Sequence, residues 1–178
     1  MAIVRRLMRT ALAIGAASSV SVAAAAQSPE TIVKANYLTK FALFIDWPAR
    51  SFAAPDSPFR ICVSGTDPFG AALADAVKGQ QVQGHPVTIE HPDAATMGQC
   101  HILFVGPGSE SPPAEIIHTM HGHPVLTVTD NDQDFPGSII AFMTLDGRVR
   151  FAVDAAAAEQ SGLQISSKLL ELAVKVAR

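Results

Sequence analysis

The chain has 178 residues, with 13 Lys plus Arg against 16 Asp plus Glu and a formal charge of −3. No basic cluster of five or more appears, and a mildly acidic chain does not suit a polyanion, so nucleic acid is not an expected partner. Residues 1–26 read as a secretory signal peptide. Arg5, Arg6 and Arg9 make a positive start, Thr10 to Val22 is apolar and uncharged, and Ala24-Ala25-Ala26 supplies a small-x-small cleavage pattern. That run is shorter than the roughly 20 residues a spanning helix needs, and no Cys follows it to carry a lipid. Removing these residues and their three arginines leaves 152 residues, Gln27 to Arg178, at a charge of −6. One domain with a sizeable core fits that length. No later run is long and uncharged enough to insert into a membrane.

From Glu30 to Trp47 the apolar residues Ile32, Val33, Tyr37, Leu38, Phe41, Phe44 and Ile45 fit one helix, which Pro48 stops. A loop holding Pro55 and Pro58 leads to Phe59–Val63, a short buried strand ending at Ser64-Gly65. Asp67 is placed to cap, and Pro68 to open, a helix running to about Lys78, with Gly79 ending it. Gln81 to Gly84 reads as a turn or a short extra strand, and Pro86–His91 as a strand. Ala94–Gln99 is a short helix or turn, and Cys100–Val105 is the most apolar strand. A helix over Glu115–His121 and a strand over Pro124–Thr129 follow. Strands and helices alternate to this point, which argues for a parallel sheet with crossover helices.

The pattern then changes. Ser138–Thr144 and Arg148–Val153 flank Leu145-Asp146-Gly147, a hairpin signal. Val149, Phe151 and Val153 face one side of the second arm, Arg148 and Arg150 the other. A helix over Asp154–Gln160 breaks at Ser161-Gly162. A last helix runs from Ser166 or Ser167 to the end, with Leu169, Leu170, Leu172, Ala173 and Val176 apolar. The expected fold is one α/β domain over residues 27–178. It is a three-layer sandwich, a mostly parallel sheet of about four strands extended by a C-terminal antiparallel hairpin and covered by helices. Export lets Cys62 pair with Cys100, closing a loop of roughly 40 residues worth about 4 kcal/mol in the chain-entropy model. Two buried, reduced thiols are the alternative.

Candidate chemistry is thin. Gly65-Thr66-Asp67-Pro68-Phe69-Gly70 has phosphate-loop spacing but continues Ala71-Ala72, without the lysine and hydroxyl, and Asp67 occupies the anion's place. A small neutral ligand there remains an alternative on fold grounds. His118, His121 and His123 lie close together, but Gly122 and Pro124 break the element and no carboxylate or thiol completes a metal site. His85, His91 and His101 are scattered. Asp130, Asn131, Asp132 and Asp134 lack the glycine and glutamate of a calcium loop and read as a solvated turn. No G-x-S-x-G or H-E-x-x-H motif and no nucleophile–base pair appears. No catalytic, cofactor or metal residue is therefore assigned, and an enzyme is not expected. The aromatic stretch Tyr37 to Trp47 reads first as helix core and second as an interface, since Trp and Tyr are enriched there.

Six stretches, in order, resemble the YfiR family of periplasmic proteins. They are Lys34-Ala35-x-Tyr37-Leu38-x-x-Phe41-x-x-Phe44-x-x-Trp47-Pro48; Phe59-Arg60-Ile61-Cys62-Val63-x-Gly65-x-x-Pro68-Phe69-Gly70; Gly98-x-Cys100-His101-Ile102-Leu103-Phe104; Val125-Leu126-Thr127-Val128-x-Asp130; Asp146-Gly147-Arg148-Val149-Arg150-Phe151; and Gly162-Leu163-x-Ile165-Ser166-Ser167-Lys168-Leu169-Leu170-x-Leu172-Ala173. The resemblance implies a periplasmic repressor that binds the periplasmic domain of a membrane diguanylate cyclase and so restrains cyclic-di-GMP signalling and biofilm formation. It also implies a homodimer and an outer-membrane lipoprotein that sequesters the repressor. No cofactor is implied. The residues expected to meet the partner are Leu163, Ile165, Ser166, Ser167, Lys168 and Leu169, as an apolar surface. The alternative function is a periplasmic sensor that binds a small molecule near Gly65 to Gly70.

Overall fold

The computed structural model describes residues 27–130 and 137–177. The expected signal peptide and Asn131, Asp132 and Asp134 of the polar loop lie outside the described residues.

Ser28 caps the first helix, α1 (Pro29–Phe41), its hydroxyl accepting from the Thr31 N–H at 3.1 Å, and Pro29 fits the first turn. Lys34, Ala35, Leu38 and Phe41 form its buried face. The helix predicted to reach Trp47 stops at Phe41. Leu43 and Phe44 donate their N–H groups back to Lys40 and Phe41, and Ile45–Asp46 becomes strand β1. A β-branched residue at 45 is compatible with either state, and pairing with a distant segment decides it.

Besides 3-10 turns at Ala49–Ser51 and Met97–Gln99, the remaining elements are β2 (Phe59–Ser64), α2 (Ala71–Val77), β3 (Gln81–Val82), β4 (His85–Glu90), β5 (Ile102–Val105), α3 (Pro113–Met120), β6 (Leu126–Asp130), β7 (Ile140–Leu145), β8 (Arg148–Asp154), α4 (Ala155–Gln160), β9 (Gln164–Ile165), α5 (Ser167–Leu172) and β10 (Lys175–Ala177). Eight of the strands form one sheet in the order β10-β8-β7-β6-β5-β2-β4-β3. Five neighbours, β4, β2, β5, β6 and β7, run parallel, one more than expected because the first hairpin arm pairs with β6. The predicted hairpin is present, with Leu145 opposite Arg148 and a turn at Asp146 (φ 51°) and Gly147 (φ 69°). The last helix does not reach the C-terminus. It ends at Leu172, and Lys175 to Ala177 add a strand parallel to β8.

Alternation along the strands divides the interior into two layers. Ile61, Val63, Ile102, Phe104, Val128, Phe142 and Phe151 point to one face, where Leu38 and Phe41 of α1 and Leu73 of α2 cover them. Cys62, Leu103 and Val105 point to the other, against Ile116, Ile117 and Met120 of α3. Helices on both faces make the three-layer α/β sandwich. Cys62 and Cys100 are joined by a disulfide, with 5.9 Å between their Cα atoms, inside the second layer.

Candidate interaction surface

Asp154 starts α4, its Oδ1 accepting from the Ala157 N–H at 2.9 Å. The helix ends at Ser161, and Gly162 adopts φ +74°, a left-handed turn that favours glycine. A Cβ there would also fall 2.6 Å from Nη2 of Arg50. The Leu163 N–H returns to the Ala158 carbonyl at 2.9 Å, closing the turn. The chain then pairs antiparallel with β1, Gln164 opposite Asp46 and Ile165 opposite Ile45. The Ser166 N–H donates to the Phe44 carbonyl at 2.9 Å, and Ser166 Oγ accepts from the Leu169 N–H to open α5. A two-stranded ribbon outside the main sheet thus holds residues 163–169 in place.

The expected apolar surface needs correcting. Leu163 and Leu169 are buried in the layer beneath, at 1% and 2% exposure, because the turn at Gly162 and the Ser166 cap aim them inward. Ser167 and Lys168 are exposed, while Ile165 and Ser166 are half-buried. Ile165, Leu163 and Leu170 line a shallow pocket of about 170 Å³ against Ala155 and Ala158 of α4. Among the described residues, Leu43 just before β1 and Leu172 at the end of α5 are the most exposed large apolar side chains, at 63% and 62%.

The other sequence candidates are placed as follows. Asp67 Oδ1 accepts from the N–H groups of Phe69 (2.7 Å) and Gly70 (3.2 Å), closing the turn before α2, whose cap is Gly70 itself. Gly65 is packed against Pro107 and Gly106, whose carbonyl oxygens a Cβ would meet at 2.5 and 2.9 Å. Hydrogen bonds and close backbone contacts thus shape the Gly65–Gly70 turn. The His118 and His121 rings stack at 5.6 Å, and among the described residues no group of three or more His, Cys, Asp or Glu could hold a metal. Trp47 is buried, its ring T-shaped to Phe59 with centroids 4.9 Å apart and its N–H donating to the His101 carbonyl at 3.2 Å. Tyr37 packs on Phe41 and Phe151. The aromatic stretch is core.

A family model described as YfiR/HmsC-like matches residues 31–174. The chain belongs to the YfiR/HmsC-like family. A search of curated proteins finds no match. The match spans the chain from the first turn of α1 to the residue before β10, so both layers, the disulfide and the β1–β9 ribbon lie within the YfiR/HmsC-like region.

Two polar groups inside this YfiR/HmsC-like domain escaped the sequence reading. Lys34, nearly buried, places Nζ 2.5 Å from Glu30 on its own helix and 2.5 Å from Asp130 at the end of β6. Burial pushes its ammonium down, but hydrogen bonds to Asp130 and Glu30, and their charges, outweigh that and hold it above the usual lysine range. The same pairing holds the Glu30 carboxyl below its usual range. Asp130 is therefore an anchor joining α1 to the sheet, not part of a solvated turn. A lysine one place before Ala35, on the same face as Leu38 and Phe41, was the available signal.

The second group is His101. It is 2% exposed, stacked on Phe59 at 4.6 Å and close to Phe52 at 4.5 Å, which itself stacks on His85 at 3.9 Å. Its Nδ1 accepts from the Arg60 N–H at 3.0 Å, so a neutral ring carries its proton on Nε2. Burial, then the charge of Arg60 and of His85, lowers its pKa from 6.5 to about 4. His85 and His101, far apart in sequence, both pack on Phe52 because β4 and β5 flank β2 on either side. The sole sequence clue was one polar residue opening the most apolar strand.

Proposed function

We propose that this chain is a periplasmic regulator that binds the periplasmic domain of an inner-membrane diguanylate cyclase and represses it, restraining cyclic-di-GMP synthesis and biofilm formation. Membership of the YfiR/HmsC-like family carries the reading, since the match covers residues 31–174. A disulfide joining Cys62 and Cys100 supports export, because such bonds persist in oxidising compartments. The mature chain, residues 27–178, works as a homodimer in the periplasm without entering the membrane. An outer-membrane lipoprotein that competes for the same surface releases the cyclase.

The contact is the segment from Ile165 to Lys168, with Leu163 and Leu169 anchoring it from below. No reactive group is needed, so the protein is a binding module and not an enzyme. Differential affinity for two states of the partner suffices. A contact worth about 3 kcal/mol more in the inactive state shifts the balance by more than about a hundredfold. The test is calorimetric titration of purified residues 27–178 with the periplasmic domain of the cyclase from the same genome. Saturable binding is expected, weakened roughly tenfold by Lys168→Glu with an unchanged melting temperature. Absence of binding by the folded wild-type protein contradicts the proposal.

A further inference from the structure

A cavity of about 310 Å³ opens beside His101, lined by Arg50, Ser51, Pro58, Arg60, Gln99 and His101 among others. Ligand pockets begin at about that volume. Two polar atoms in its wall, Ser51 Oγ and His101 Nε2, are withdrawn from solvent; the hydroxyl has no hydrogen-bond partner, and the ring nitrogen approaches only the Ser51 backbone, without the geometry of a good hydrogen bond. A buried polar group left unpaired costs about 1–3 kcal/mol, so two in one wall call for an explanation. A neutral His101 presents an N–H at Nε2, and a serine hydroxyl can donate as well.

Charge points the same way. Among the described residues, two arginines line the cavity and no carboxylate does. Arg60 is fixed in place, its Nη1 donating to Gln99 at 3.1 Å and its Nε 3.1 Å from Glu90, an ion pair at an angle too poor for a good hydrogen bond. Arg50 is exposed and reaches from the cavity to the Gly162 backbone. Pro58, Pro124, Ala53 and the buried disulfide at Cys100 supply apolar wall between the charges.

From this geometry we infer that the cavity is a binding site for a small organic carboxylate, its oxygens taken by Arg60 and Arg50 and by the Ser51 and His101 donors, its apolar body against the prolines. Arginine is suited to such a group because its fork matches a carboxylate. The site goes beyond the regulatory reading and does not depend on it, since every group belongs to this chain. Its occupant would share Arg50 with the turn that carries residues 163–169.

The experiment is an NMR titration of the isotope-labelled mature protein at constant ionic strength, with benzoate as probe and benzamide as its uncharged counterpart. Saturable shifts are expected at Ser51, Arg60, Gln99 and at the His101 ring N–H, with benzamide giving none. Arg60→Gln and Ser51→Ala, each checked for a native spectrum, weaken the response, Arg60→Gln by roughly tenfold or more. Inorganic phosphate binding as tightly as benzoate overturns the carboxylate assignment. So do equal responses to benzamide, shifts that survive both substitutions, or no saturable shift at these residues. Because no cyclase is present, failure here leaves the regulatory proposal standing, and failure of that proposal leaves this one standing.

Discussion

The two faces of the sheet are stabilised by different means. Under α1 and α2 the layer is wide and aromatic. Phe41 stacks on Phe142 at 5.7 Å and meets Phe151 edge-on at 5.1 Å, while Phe69 meets Phe104 at 4.7 Å. Under α3 the layer is small and aliphatic, and the Cys62–Cys100 bond lies within it. Area burial holds the first face directly in the folded state. The crosslink on the second acts chiefly by restricting the unfolded chain, over a sequence separation of 38 residues. One sheet thus carries a face that is strong by packing and a face reinforced by covalent chemistry.

That contrast can be broken from either side. Phe41→Ala empties the centre of the aromatic layer and is expected to cost about 4 kcal/mol in urea unfolding, moving the midpoint while leaving the slope unchanged. Replacing both cysteines by alanine is expected to cost up to about 4 kcal/mol, and here the slope should rise because the unfolded chain expands. An equal slope in both variants would show that the crosslink acts through native packing alone.

His101 sharpens the comparison, since it lies at the edge of the aromatic layer. Its pKa is lowered on folding, from 6.5 to about 4, so the unfolded chain takes up the proton first. Its contribution is complete above pH 6.5 and is lost as the pH falls toward 4, by up to about 3 kcal/mol. His101→Phe should flatten the stability profile across that window, as followed by urea midpoints at successive pH values. Smallest is Lys34→Met. Asp130 and Glu30 keep 31% and 46% exposure, so water solvates the carboxylates left behind and a loss of about 1–2 kcal/mol is expected from thermal melts.

Much of this architecture is legible in the sequence. Strands β2, β5 and β6 are apolar runs bounded by turns, and the hairpin announces itself through Asp146-Gly147 and the alternation of Val149, Phe151 and Val153. What periodicity misses is held by distant partners. Strands β1 and β9 have two residues each, and β10 has three, too short to show a period of their own. Ile45 suits a helix stripe until Ile165 pairs with it, and Val176 suits one until Val153 does. The same limit hid the burial of Leu163 and Leu169. Their segment looks like an exposed apolar edge in sequence, and only the turn at Gly162 turns those leucines inward. The packing of His85 and His101 on the same Phe52 ring likewise depends on strand order, which no local pattern records.

The central functional claim is repression in the periplasm. Its most direct measurement is the cellular level of cyclic-di-GMP after deletion of the gene in a strain that keeps the cyclase, with the exported protein restored from a plasmid. The level should rise on deletion and return with the plasmid. A level that does not move, with the cyclase present and active, contradicts it.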